Sequence, residues 1–485
     1  MNKIFYIVVL GILVSAATAF LYPLGGDDYH HTLAGRDISK NLNFADNSYF
    51  NCYNSAKSYP PLWHLAAAFP LFFFSGNLEL NIFSIKAMQV FIGAMLILVL
   101  IALMKKADYR TKLISVFFLS LYGLRVIYSA RPHVDILVSL GVALSVYTYY
   151  KWKEYGRKKD FIFLGIFSGL TAMTHIYGFI VYILIFVLDA ISKNRNIKSL
   201  TLLLMFSSLI PLFYLIFVSG IFSLPVEERE GFFSGPPVTA DGIFYEAWLG
   251  VPTSGEPQIR SQIFSRATEF LGFDAKIPWL AAAGLLSLIL IYGATNSERK
   301  YILWFAIFLI PLFVKGMPRM LLVPALIPIA IFFGNGVSKI KSKLIVALIV
   351  ILFLIISIQP LLFAYKLNQE KSGYDKIFSD IKQELPQDAK IIVFGSSEIA
   401  RVNLYTGRRT FYFGDAAKSS ICLNDNSNIT GFYLYVDSRI YDRYSAGSAQ
   451  RERIDRLTSN TLLMKNYSEN GVWAKLYFSN SSASP

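Results

Sequence analysis

Two aspartates stand side by side at Asp27–Asp28, in the stretch YPLGGDDYHHTLAGRDISK (22–40), with His30 and His31 just behind them. Paired carboxylates suit proton abstraction by a general base. The plainer reading is a helix start, because Asp is favoured at the N-cap and on the positive end of the helix dipole. That accounts for one aspartate, not for two aspartates and two histidines. Few cations are placed to face an anion. Arg125 and Arg131 lie in or beside apolar sequence, His175 falls at the break THIYG (174–178), and Lys315 and Arg319 share the segment KGMPRM (315–320). A cation inside apolar sequence needs a function or a partner, and Asp135 is the obvious partner for Arg131. A third group, Tyr245, Trp248 and Arg260, sits in VEEREGFFSGPPVTADGIFYEAWLGVPTSGEPQIRSQ (226–262). The glycine, proline and aromatic content there suits a loop that closes over a site.

The elements that must hold these groups are read from composition. Of 485 residues, 54% are hydrophobic and only 16% charged, with a mean hydropathy of +0.46. A soluble domain carries about a quarter charged residues, so both a water-soluble globule and a disordered chain are excluded. A spanning helix needs about 20 apolar residues. Candidate spans fall near 4–22, 82–104, 113–130, 134–150, 161–175, 177–191, 199–220, 277–293, 301–314, 318–334 and 344–364, about 11 in all. The pair 161–175 and 177–191 reads either as two short helices or as one broken segment. The first stretch reads as a retained helix rather than a cleaved signal.

Basic residues mark alternate loops: Lys105, Lys106, Arg110 and Lys112; Lys151 to Lys159; Lys193 to Lys198; Arg299 and Lys300; Lys339 to Lys343. Retention of basic loops in the cytoplasm then puts the N-terminus inside and the C-terminus outside. It also absorbs most of the net charge of +14, so nucleic acid is not an expected partner, whereas membrane lipids are. Residues 1–365 form the membrane domain, with outer loops at 23–81 and 221–276. Residues 366–485 form a polar tail, in which the helix-like DKIFSDIKQEL (375–385) precedes strand-like KIIVFG (390–395), GFYLYVD (431–437) and VWAKLYF (472–478). The tail therefore reads as a small extracytoplasmic α/β domain. Cys52 and Cys422 both fall outside the membrane, which leaves a disulfide open.

Within the first outer loop, SYPPLWHLAAAFPLFFF (58–74) is apolar but too short to span. It suits a helix lying in the interface plane, with Tyr59 and Trp63 at headgroup level, as a floor for a lipid-linked substrate.

These features together resemble the GT-C membrane glycosyltransferases, which include the dolichyl-phosphate-mannose-type protein mannosyltransferases and the bacterial aminoarabinose and arabinofuranosyl transferases. The resemblance rests on the acidic pair opening the first outer loop and on the Pro-Pro-Leu-aromatic segment some 30 residues later. SARPHVDILVSLGVALS (129–145) and MPRMLLVPALIPIAIFF (317–333) add an Arg-Pro-x-x-Asp helix entry and a Pro-Arg late helix. It covers the membrane portion, and the tail matches in placement only. It implies an inverting transfer of a sugar, hexosyl or pentosyl, from a polyprenyl-phosphate donor to a hydroxyl of a glycan, lipid or protein on the outer face of the cell membrane. It further implies that the first acid of the pair is the base. The family's usual Asp-Glu reads Asp-Asp here, so Asp27 or Asp28 can fill that role. The donor phosphate would meet Arg319, Arg131, His175, Lys315 and Arg125. The substrates would meet His30, His31, Tyr59, Trp63, Tyr245 and Arg260.

The main rival is a polytopic transporter or flippase of a lipid-linked saccharide. A transporter places ionisable groups at mid-membrane, whereas the polar groups here gather at the outer ends of helices. No cofactor is expected. Asp27, Asp28, His30 and His31 have the ligand types for a divalent cation, but adjacent residues on a helix do not face one another, so metal-independent chemistry is the expectation.

Overall fold

The computed structural model describes residues 2–24, 27–41, 61–73, 77–192, 195–213, 276–309, 322–394, 396–413, 422–423, 431–441, 448–469 and 472–479. Helix α1 (Asn2–Leu21) is predominantly apolar after Lys3 and ends before Pro23, and α2 (Asp27–Asn41) opens on the acidic pair. The short α3 (Leu62–Phe73) follows, then α4 (Leu78–Leu103). Asn77 caps α4 by accepting from the amides of Glu79 and Leu80 at 2.9 and 3.1 Å, the arrangement an N-cap asparagine provides. Next come α5 (Tyr109–Leu121), α6 (Gly123–Ala130), α7 (Asp135–Tyr155), α8 (Lys158–Ala172), a 3-10 turn (Ile176–Phe179), α9 (Ile180–Ala190) and α10 (Ile197–Phe213). The later helices are α11 (Lys276–Thr295), α12 (Arg299–Leu309), α13 (Leu326–Ser338), α14 (Lys343–Ser357) and α15 (Gln359–Glu384).

Three of these helical stretches, Lys3–Leu21, Leu78–Leu103 and Lys343–Leu362, are long and apolar enough to cross a bilayer among the described residues. The α5–α6 pair, bent by 47°, makes a fourth if taken as one span. No other helix meets that test of length and apolarity among the described residues, so a count of about 11 is not established. The stretch 161–191 is two helices, α8 and α9, joined through the 3-10 turn. Phe5, Phe83, Phe91, Ile162, Ile210 and Leu344 point outward from the helices with much of their surface bare. Such a surface is stable against hydrocarbon and not against water, and the chain is an integral membrane protein.

Inside, the helices lock by close approach. A Cβ on Gly293 would lie 1.7 Å from the carbonyl oxygen of Phe332, and one on Gly336 would lie 2.4 Å from that of Ile289. Glycine at these facing positions lets α11 and α13 meet backbone to backbone. Phe118 of α5 stacks on Phe333 of α13 and Phe353 of α14, at 4.3 and 4.8 Å between ring centroids.

Helix α15 runs unbroken through the expected domain boundary at 365/366 and delivers the chain into the tail. There β1 (Lys390–Val393), β2 (Arg409–Phe413), β3 (Cys422–Leu423), β4 (Phe432–Asp437), β5 (Leu462–Glu469) and β6 (Val472–Ser479) form one sheet. The strand order is β3-β2-β1-β4-β6-β5. The first four strands are parallel, with Ile391 opposite Thr410 and Tyr433, and β6 and β5 close the sheet antiparallel. Alternation along β1 feeds two cores. Ile391 and Val393 pack with Ile377, Phe378 and Ile381 of α15, while Ile392 and Phe394 pack on the other face with Ile454 and Leu457 of α18 (Ala449–Ser459). Between β1 and β2 lies α16 (Ser396–Thr406), and α17 (Ser438–Tyr441) follows β4. The tail is thus a helix–sheet–helix α/β unit. Its three expected strands are present, and Arg409–Phe413, Cys422–Leu423 and Leu462–Glu469 are additions to them.

Candidate active site

Helix α2 can lie close on α3 because residue 35 is glycine. A Cβ there would meet Ala67 Cβ at 3.1 Å and Leu71 Cδ1 at 3.3 Å. This contact turns Asp28, His31 and Thr32 inward, where all three are buried. Trp63, expected at headgroup level, is instead fully buried, its indole 5.2 Å from the His31 ring. The face of α3 that points outward carries Leu65, Phe69, Phe72 and Phe73.

The carboxylate of Asp28 is gripped by Arg131. Nε lies 3.3 and 3.2 Å from the two carboxylate oxygens and Nη2 lies 3.1 Å from Oδ1. The guanidinium also lies over the rings of Tyr22 and Tyr128, at 5.7 and 5.8 Å, where cation–π attraction adds to the ion pair. Its remaining nitrogen, Nη1, is buried and has no hydrogen-bond partner among the described residues. Arg131 therefore pairs with Asp28 and not with Asp135. The reason is local: the turn after α6 gives Asp135 a different neighbour, His133, whose Nδ1 lies 2.7 Å from Asp135 Oδ2. The same turn is tightened by His133 N–H donating to the Arg131 carbonyl at 2.7 Å, and Gln89 of α4 donates to the His133 carbonyl at 2.6 Å.

Imidazoles fill the space beside the pair. His31 Nδ1 and His64 Nε2 share a hydrogen bond of 2.9 Å, and the His133 ring stands edge-on to His31 at 4.9 Å. Burial pushes His64 down to about 4, so it is neutral at physiological pH and one nitrogen of the His31–His64 contact must accept. His30 is buried on the same helix. Four of the chain's five histidines thus gather around α2, α3 and the turn before α7. His64 and His133 were missed as site residues, although both stand inside the recognised motifs, directly after Trp63 and within RPHVD. Among the described residues, no group of three His, Cys, Asp or Glu side chains has metal-holding geometry.

The remaining expected residues divide in three ways. His175 caps the 3-10 turn by accepting from the Tyr177 amide at 3.2 Å and stacks on the Tyr177 ring. That turn is tied to the start of α3, where the Leu62 amide donates to the Met173 carbonyl at 3.0 Å. Arg125 joins helices: its Nη2 donates to the carbonyls of Gly11 (3.1 Å) and Ser120. Ser120 lies just before the break between α5 and α6, where a carbonyl loses its helical partner, and apolar surroundings demand that it be satisfied. Arg125 has no bond to the acid cluster among the described residues. Asp27 begins α2, but its side chain is not among those described, and Arg319, Lys315, Tyr59, Tyr245, Trp248, Arg260 and Cys52 lie outside the described residues.

No protein-family model matches the sequence, and no curated protein does. Solved structures do match in shape. ArnT from Cupriavidus metallidurans bound to undecaprenyl phosphate superposes with a TM-score of 0.64 at 8% identity, over 99% of this chain and 98% of that one. Its apo form gives a TM-score of 0.62 at 11% identity, over 98% of each chain. An Archaeoglobus fulgidus oligosaccharyltransferase tethered with an acceptor peptide gives a TM-score of 0.52 at 13% identity, over 99% of this chain and 74% of that one. At these identities the likeness is one of fold, and it extends over the tail as well as the membrane helices.

Proposed function

Because the chain has the fold of the GT-C membrane glycosyltransferases, we propose that it transfers a sugar, with inversion, from a polyprenyl-phosphate donor to a hydroxyl acceptor at the outer face of the membrane. The observation that carries the proposal is the buried Asp28–Arg131 pair at the start of α2. It fixes one carboxylate of the acidic couple against a guanidinium, and leaves Asp27 beside it as the base. Undecaprenyl phosphate in the ArnT structure and an acceptor peptide on the archaeal enzyme support a lipid-linked donor and a separate acceptor.

In this scheme the acceptor oxygen attacks the anomeric carbon as Asp27 takes its proton, and the bond from that carbon to the phosphate oxygen breaks. The leaving polyprenyl phosphate gains negative charge, which fixed cations stabilise best where water is scarce. Arg319 and Lys315 fill that role with Arg131 Nη1 and His175, while Tyr245 and Arg260 meet the sugar from the second outer loop. His30, Tyr59 and Trp63 shape the floor below. The scheme needs no metal. The N-terminus is cytoplasmic and the tail extracytoplasmic, at the cell membrane.

The test is incubation of membranes with labelled polyprenyl-phosphate sugars. Asp27→Asn abolishes transfer at equal protein level, and Arg319→Ala weakens dependence on donor concentration. Movement of label across the membrane without formation of a glycosidic bond would establish the flippase instead.

A further inference from the structure

Helix α2 has a second face, and the tail holds it. Tyr29, Leu33 and Arg36 fall on one side of the helix at i, i+4 and i+7, opposite Asp28, His31 and Gly35. Leu24, Tyr29 and Leu33 form a buried cluster with Leu404 of α16, joined by Leu78, Ile82 and Tyr405. Arg36 Nη2 donates to Asn403 Oδ1 at 3.0 Å, and Asn403 Nδ2 donates in turn to the Arg408 carbonyl at 3.0 Å. Both ends of the Asn403 amide are therefore committed, and its orientation is set. Arg408 extends the chain of contacts by donating from Nη2 to the carbonyls of Lys382 and Leu385, both at 2.7 Å, at the end of α15. Tyr405 stands edge-on to Tyr29 at 6.2 Å and stacks on Phe378 of α15 at 5.5 Å.

We infer that Asn403 and Tyr405 are positioning residues of the transfer reaction: through them the tail domain fixes helix α2, and with it the acidic couple at the helix start. The inference rests on the proposed transfer for its consequence but not for its geometry. The tail touches the same helix that opens with the acids, on a face away from Asp28. Without that brace, α2 would keep its contacts with α3, with Leu78 and Ile82 of α4 and with the Arg131 turn, but lose those made by α16. A catalytic carboxylate moved by about 1 Å loses on the order of 10²-fold in rate.

The experiment uses the full chain in lipid nanodiscs and two readouts, amide hydrogen exchange and transfer kinetics. In Asn403→Leu and Tyr405→Ala, exchange over residues 29–38 accelerates at least about tenfold, and kcat falls by one to two orders of magnitude while the donor KM stays within about twofold. Asn403→Asp keeps an acceptor for Arg36 and restores most of the protection and the rate. Arg36→Leu, made from the membrane side, gives the same loss, and its combination with Asn403→Leu costs no more than either alone. Parent-like protection of α2 in Asn403→Leu and Arg36→Leu overturns the docking. A loosened α2 with kcat within about twofold of the parent overturns the positioning role. A parent protein that transfers no sugar refutes the proposed reaction instead, and the exchange measurement still decides the docking.

Discussion

Replacing Arg131 with methionine removes the cation from the buried pair and leaves the Asp28 carboxylate, which is 0% exposed, with three contacts gone. Breaking a buried ion pair from one side costs about 3–5 kcal/mol. Thermal unfolding of purified protein, followed by tryptophan fluorescence, therefore shows a large Tm deficit for Arg131→Met. Adding Asp28→Asn removes the carboxylate that Arg131 gripped and recovers most of that deficit, without recovering transfer. If Arg131→Met is as stable as the parent, or the double variant is no more stable than Arg131→Met, the Asp28–Arg131 contact does not hold the start of α2.

Three further outcomes follow from the packing. His64 has a lower affinity for protons folded, at about 4, than its ordinary value of 6.5, so the unfolded chain binds more protons in that window and stability falls as pH drops through it. The Tm of the parent declines more steeply from pH 6.5 to 4 than that of His64→Gln. Gly293→Ala forces a Cβ against the Phe332 carbonyl and costs at least about 1–3 kcal/mol, seen as a lowered Tm. Gly284→Ala, with nothing within 4 Å among the described residues, serves as the neutral control. Arg125→Met takes its donor away from the Ser120 carbonyl, while that of Gly11 keeps the Ser15 hydroxyl, and lowers Tm, yet the folded fraction keeps the parent's donor KM. A raised donor KM would return Arg125 to the phosphate site.

Much of the site could be read from short stretches of chain, and the limits of that reading have physical causes. Asp27–Asp28 announced themselves by type and adjacency, and helix α2 by periodicity. His64 and His133 did not, because a single histidine in an apolar or turn segment has no local signature. Its meaning arises only when α3 and the turn before α7 come together against α2. Arg131 was legible as a cation needing a partner, but Asp135, four residues away, competed with Asp28, 103 residues away, and turn geometry decided for the distant one. Trp63 was misplaced for the opposite reason: its amphipathic ring suits an interface, and only the missing Cβ of Gly35 lets α3 come close enough to bury it. In the tail, β1, β4 and β6 carry dense apolar alternation, whereas β5, with Leu462, Leu463 and Met464 exposed at the sheet edge, turns only Tyr467 into the core and shows no such alternation.

By itself, the sequence determined that this is a membrane chain with an acidic couple at the start of a short polar helix and an α/β tail. Those properties depend on composition and on patterns a few residues long, which water, lipid and backbone geometry read locally. Which cation holds Asp28, which histidines surround it and which face of α2 the tail covers were settled by tertiary structure alone. Arg36 and Asn403 are 367 residues apart, and no local preference selects between such partners. Only the joint packing of α2, α3, α4, the turn before α7 and α16 removes water from between them and makes each contact worth its ordering cost.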